Sequence, residues 1–241
     1  MAPPAPPDDL PAASTTPQKS SWMYPRGGLP FDRVAFFTDA VFAIAMTLLV
    51  VSLEAPSLSD GTQNDPATMI EALKDYGPQI FSFFVAFLLL GRYWMAHHAF
   101  VSTLGRVDRT FISLNLVYLA FVAFLPFPTL LIGRYEDNPI SVVLFAITLG
   151  VISAMEAVTF RHAYRAGLLQ RPISEATYRY GMIQSLTPVG LFAVSIPIAF
   201  WNPTAALLTW LLTIPLGIWT DRRFAEGAAG WQEAAAPPPI D

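Results

Sequence analysis

Few residues in this sequence are equipped for chemistry, and most of them stand inside apolar runs. Asp39 sits in the stretch Arg33-Val-Ala-Phe-Phe37-Thr38-Asp39-Ala-Val-Phe-Ala-Ile44-Ala-Met-Thr47-Leu48-Leu-Val-Val51. A charged side chain in the middle of a bilayer costs about 2.5–3.5 kcal/mol on insertion scales, so it must face protein or water and find a partner. Arg33 lies six residues earlier, whereas side chains on one helix meet at spacings of three or four. The spacing therefore predicts that Asp39 bonds to another helix, with direct contact to an ion as the competing reading. His97 and His98 are adjacent, and neighbouring helical side chains diverge by about 100°. With His162 as the one further histidine and no cysteine at all, no structural zinc set can form, and a structural hydrogen-bonding role is expected for both imidazoles. Glu156 precedes Arg161 by little more than a turn, with Arg165 one turn further on, so pairing or snorkelling accounts for it. The absence of cysteine excludes disulfides, thiolate metal sites and cysteine nucleophiles. Neither Ser/His/Asp nor His-Glu-x-x-His spacing occurs, so the chain reads as a non-enzyme without cofactor or metal. Basic residues come singly or in pairs, which leaves no nucleic-acid footprint.

The elements that carry these residues are membrane spans. Of 241 residues, 54% are apolar and 13% charged, with a mean hydropathy of +0.45. Soluble domains hold about 45–50% apolar and about 25% charged residues, and the charge deficit is the telling half, because a wetted surface needs charge. A hydrocarbon core about 30 Å thick takes roughly 20 residues of helix. Six segments qualify: Val34–Leu53, Gln79–Met95, Phe111–Leu131, Ile140–Phe160, Gly181–Phe200 and Ala205–Trp219. Asp65-Pro66 reads as a cap and first-turn proline, Gly77-Pro78 as a helix end, and Asn202-Pro203 as a tight hairpin. Eleven of the fourteen Lys and Arg fall on the N-terminal side, with Lys74 and Arg134 opposite and Arg92 inside the second span. Cytoplasmic loops carry the excess of Lys and Arg, so both termini are expected in the cytoplasm of a multi-pass cell-membrane protein. Tyr76, Trp201, Trp210 and Trp219 fit an aromatic belt. Residues 1–30 read as a disordered Pro-rich cytoplasmic tail with no signal-peptide pattern, residues 31–224 as the transmembrane domain, and residues 225–241 as a second disordered tail.

Within the first span, Ile44, Thr47, Leu48 and Val51 fall in a sector of about 100°, and Asp39 points some 140° away from Ile44. One face is thus an aliphatic stripe with a single hydroxyl. Periodicity reads this stripe as helix packing and does not identify a pore.

The motif Arg33, Phe37, Thr38, Asp39 matches the Arg-x-x-x-Phe-Ser-Asp signature of the transmembrane protein 175 family of lysosomal and bacterial potassium-permeable channels, with Thr38 in place of Ser. A second block agrees: Trp94-Met-Ala-His97-His98-Ala-Phe100, then Asn115, then Leu125-Pro126-Phe127-Pro128-Thr129. On these residues the sequence resembles that family over roughly 33–131, in its bacterial form of one six-helix unit per chain. The resemblance implies an all-α homotetramer in the lipid bilayer with first helices around a shared axis, permeable to K+ and other monovalent cations. It implies Ile44 as the narrow hydrophobic ring, with Leu48 and Val51 on the same face and Thr47 as the layer favouring potassium over sodium. Val51 is smaller than the Leu common at its layer. It also implies that Arg33, Phe37, Thr38 and Asp39, with Trp94, His97 and His98, form the packing network that holds the pore helix. No Thr-Val-Gly-Tyr-Gly filter is present, so selectivity by a carbonyl cage is unavailable and only moderate selectivity is expected. The rival reading is a secondary transporter in which Asp39 binds a coupling proton, set against the lack of an evident inverted repeat or paired broken helices.

Overall fold

The computed structural model describes residues 23–51, 53, 55–58, 61 and 64–236. Among these residues, six helical stretches are long and apolar enough to cross a membrane: Leu29–Val51, Gly77–Ser102, Arg109–Arg134, Pro139–Arg165, Glu175–Trp201 and Pro203–Arg223. Each contains its predicted segment apart from one or two terminal residues.

Polar residues set the helix ends. The first span is α1 (Leu29–Val51), followed by the short α2 (Pro66–Asp75) and by α3 (Gly77–Ser102). Asp65 caps α2 by accepting from the amides of Ala67 and Thr68, with Pro66 at the first turn as predicted. The Thr68 hydroxyl, 2.6 Å away, is the main cause that holds the Asp65 carboxyl below its usual range. The third span is α4 (Arg109–Phe124) plus α5 (Pro126–Arg134), the fourth is α6 (Pro139–Arg165) and the fifth is α7 (Glu175–Trp201). Asp108, Asn138 and Ser174 cap α4, α6 and α7 through side-chain oxygens. The sixth span is α8 (Pro203–Trp210) plus α9 (Thr213–Arg223), after which α10 (Ala225–Ala235) follows.

The third and sixth spans are both interrupted, at Leu125 and at Leu211–Leu212. The expectation of no paired broken helices is corrected to this extent. Pro126, Pro128 and Pro215 supply no amide hydrogen, which explains where the helices bend. The junction residues keep right-handed helical dihedrals, so these are kinks and not unwound segments.

The third and fourth spans form the centre, and the other four surround them. Phe42, Leu49, Leu90, Tyr118, Leu149 and Ile152 meet in the main core, and Phe31, Phe100, Leu104, Phe111, Phe160 and Leu168 in a second core. Trp210, expected in the aromatic belt, instead stacks on Phe145 at 5.1 Å and meets Phe192 edge-on. Trp201 is 90% exposed, as a belt residue would be.

Both predicted tails are partly ordered. Residues 1–22 and 237–241 lie outside the described residues. Met23–Pro25 forms β1, which pairs antiparallel with β2 (Arg106–Asp108), Tyr24 opposite Val107. The turn to α1 needs Gly27, whose φ is +77°. Arg26 fixes this corner: its backbone amide donates to Gly105 and its guanidinium to the carbonyls of Ser102 and Leu104 and to Gln170 Oε1. At the other end of the chain, α10 docks on α7 because Gly227 and Gly230 carry no side chain. A Cβ at Gly230 would stand 2.2 Å from Thr177 Oγ1, and one at Gly227 would stand 2.6 Å from Tyr180 Cβ. Close helix approach of this kind is what small residues permit.

Candidate functional site

The first span divides into two faces. Thr38, Phe42, Ala45 and Leu49 are buried, spaced by three or four residues so that they stack along one side. That side packs against α3, α4 and α5. Two polar contacts fix it. The indole Nε1 of Trp94 on α3 donates to Asp39 Oδ1 at 2.9 Å, and Asn115 Nδ2 on α4 donates to Thr38 Oγ1 at 2.9 Å. Thr38 passes its own hydroxyl hydrogen to the Val34 carbonyl at 2.9 Å. Asp39 does bond to another helix, as its spacing predicts, and a carboxylate at this depth gains a donor.

The imidazoles behave differently from expectation. His97 is buried, and its ring stacks on Tyr118 at 4.6 Å between Phe42 and Phe100. Neither imidazole nitrogen of His97 makes a well-formed hydrogen bond among the described residues, and the Asn115 side chain is the polar group that faces it; it packs chiefly as a flat ring. His98 is exposed and lies against the Trp94 indole. Asp108 pairs with His162, Nε2 to Oδ2 at 2.9 Å, and with neither of the other two histidines.

The stripe of Ile44, Thr47, Leu48 and Val51 lies on the uncovered side of α1. Ile44 is 58% exposed and Val51 73%, and none of the described elements covers either. The Thr47 hydroxyl donates to the Ile44 carbonyl at 2.8 Å, which leaves its oxygen lone pairs turned outward. Arg33 and Phe37 are exposed as well, so the structure does not join them to the Thr38–Asp39–Trp94 network of this protomer. The reason is helical phase. They precede Ile44 by eleven and seven residues, close to whole numbers of turns, and so share its face. That phase was readable from spacing and was missed.

Glu156 does not pair with Arg161 or Arg165. Its carboxylate lines a cavity with Arg92, the charge that sequence reasoning placed in the second span without a role.

A family model described as the endosomal/lysosomal potassium channel TMEM175 matches residues 33–126. A potassium channel of Streptomyces collinus is 32% identical over 178 residues, spanning 69% of this chain and 84% of that protein. The endosomal/lysosomal proton channel TMEM175 of Mus musculus is 35% identical over 98 residues, spanning 39% of this chain and 20% of that longer protein. The fold matches the crystal structure of a lysosomal potassium-selective channel TMEM175 homolog from Chamaesiphon minutus. The TM-score is 0.67 at 23% identity, covering 80% of this chain and 98% of that one.

Proposed function

Because this chain belongs to the TMEM175 family, we propose that it forms a potassium-permeable cation channel in which four copies of α1 surround a shared axis. The observation that carries this reading is the uncovered stripe of α1, a line of Ile44, Leu48 and Val51 with one hydroxyl at Thr47. Placed around an axis, Ile44 forms the narrowest ring. Water leaves a narrow apolar constriction, and an ion cannot follow without its hydration shell, so the ring gates by dewetting. Opening then requires a modest widening and no displacement of a charged plug.

Thr47 supplies the selectivity layer. Its hydrogen is spent on the Ile44 carbonyl, so the oxygen presents only lone pairs, which suits a partly dehydrated cation. A single ring of hydroxyls is a weaker discriminator than stacked carbonyl rings, and the preference for potassium over sodium is moderate. Arg33 and Phe37 lie on the same side and meet sister protomers near the terminal end of the helix. Both chain ends face the cytoplasm, and the channel resides in the cell membrane.

The test is electrical recording from purified protein in planar bilayers under potassium/sodium gradients. Voltage-driven current without an opposing substrate gradient supports the channel. Strict exchange stoichiometry favours the transporter reading instead, in which Asp39 carries a coupling proton. The Asp39 carboxylate already holds the Trp94 donor, which argues for a positioning role. The vertebrate proton-channel relatives add a second permeant species to measure: a reversal potential that follows the proton gradient reports it.

A further inference from the structure

A cleft separate from the α1 stripe opens between α3 on one side and α6, α7 and α9 on the other. Its volume is about 330 Å³, and α3 meets α6 beside it through Tyr93 with Ser153 and Phe100 with Phe160. The Trp231 indole of α10 closes its terminal end, edge-to-face with Phe160 at 5.3 Å; Phe160 in turn meets Phe100 at 5.7 Å.

The polar groups that line the cleft sort into satisfied and unsatisfied. Asp221 Oδ1 accepts from the Tyr180 hydroxyl and from Gln184 Nε2, each at 2.7 Å. The hydroxyls of Tyr93 and Ser153 bond to each other at 2.7 Å. Among the charged groups this leaves the guanidinium of Arg92 and the carboxylate of Glu156, neither of which has a hydrogen bond or direct ion pair among the described residues. Both belong to membrane spans, where charge is costly, and their opposite charges face the same cleft without direct contact. They stand on helices that meet one turn away at Tyr93 and Ser153, and each acts on the other through space across the cleft. The volume falls at the low end of ligand pockets, about 300–1,000 Å³.

We propose that this cleft binds a small zwitterionic group, with its ammonium on Glu156, its phosphate or carboxylate on Arg92, and its apolar part against Phe160 and Trp231. The ammonium meets a carboxylate, and the planar guanidinium presents paired donors to the anionic end. An aminophospholipid headgroup and a free zwitterion offer the same chemistry. The proposal does not rest on the pore reading, because the cleft lies within one protomer and shares no residue with the stripe.

The experiment uses the full-length protein in two arms. In the first, native mass spectrometry compares retention of phosphatidylethanolamine and phosphatidylglycerol after extraction from a mixed membrane. In the second, calorimetry titrates soluble glycerophosphoethanolamine. Retention of phosphatidylethanolamine over phosphatidylglycerol supports a lipid source, and heat from the soluble compound supports a free one. Arg92→Gln and Glu156→Gln are each expected to weaken binding about tenfold, as for removing one charge-assisted hydrogen bond to the ligand. Gly217→Phe tests the site with both charges intact, because a side chain there meets open space and grows into the cleft; it abolishes binding even if the charge variants misassemble. Equal retention of the two lipids with no heat from the soluble compound overturns the proposal. So does full binding by Gly217→Phe, and so does loss in Arg92→Gln alone, which would mark a plain anion site.

Discussion

The first and fourth spans are almost equally apolar, yet the protomer uses them in opposite ways. Half of the central stretch of α6 is buried, against 22% of that of α1. In α6 the hydroxyls of Thr148 and Thr159 are buried and turned back onto Leu144 and Met155. In α1 one hydroxyl, Thr38, is buried and tied to α4, while the other, Thr47, faces outward. Hydropathy reports that a helix crosses the bilayer. It does not report what covers the helix. The second, fifth and sixth spans are as little buried as the first, so burial alone cannot tell lipid from a sister subunit.

Substitutions can break this contrast. The largest effect on stability belongs to α6: Leu149→Ala, at a fully buried position, should cost about 2–5 kcal/mol. Leu48→Ala on α1 should stay within about 0.5 kcal/mol in the dissociated protomer. Unfolding in mixed detergent compares the two, and equal losses would erase the distinction between the helices. Next comes the gate. Ile44→Asn should raise resting current on the order of a hundredfold, about 2.7 kcal/mol off the barrier shared by four side chains. Ile147→Asn, at an exposed aliphatic of α6, should leave current unaltered. Unchanged current from correctly assembled Ile44→Asn protein removes Ile44 from the constriction. Trp94→Phe deletes the donor to Asp39 and should destabilise the protomer by roughly 1–2 kcal/mol; no loss would mean that Asp39 is held by something else. The smallest effect is Thr47→Ala, for which the potassium/sodium permeability ratio should fall about twofold, equivalent to about 0.4 kcal/mol. An identical reversal potential takes Thr47 out of the selectivity layer.

Six spans were legible because apolar length is a one-dimensional property. The partner of Asp39 was legible only as a class: spacing excluded Arg33, but which helix would supply the donor depends on how α1 and α3 are set side by side, and Trp94 emerged from that arrangement. The segment Ala225-Glu-Gly-Ala-Ala-Gly-Trp-Gln-Glu-Ala-Ala235, with Gly227 and Gly230 and three prolines close behind it, reads as part of a disordered tail. The same glycines allow α10 to approach α7, and tertiary contact overrides propensity. Met23-Tyr24-Pro25 lies in a proline-rich stretch and makes a strand of three residues, too short for any periodicity to register. Glu156 was misassigned for a related reason. Local arginines were close in sequence, whereas Arg92 reaches the same cavity from a different helix.

The strand pair beside the start of α1 has a mechanical consequence. Only Arg26, Gly27 and Gly28 separate β1 from the helix, and Arg26 is bonded to the loops before β2 and after α6. The helix is thus moored at one end, and its far end at Val51 is uncovered. Between those ends Phe42, Ala45 and Leu49 hold its other side against α3, α4 and α5. Ile44 stands about 22 Å from the start of the helix at ~1.5 Å per residue, so a displacement of the anchored corner reaches the stripe only together with the helices that share this packing.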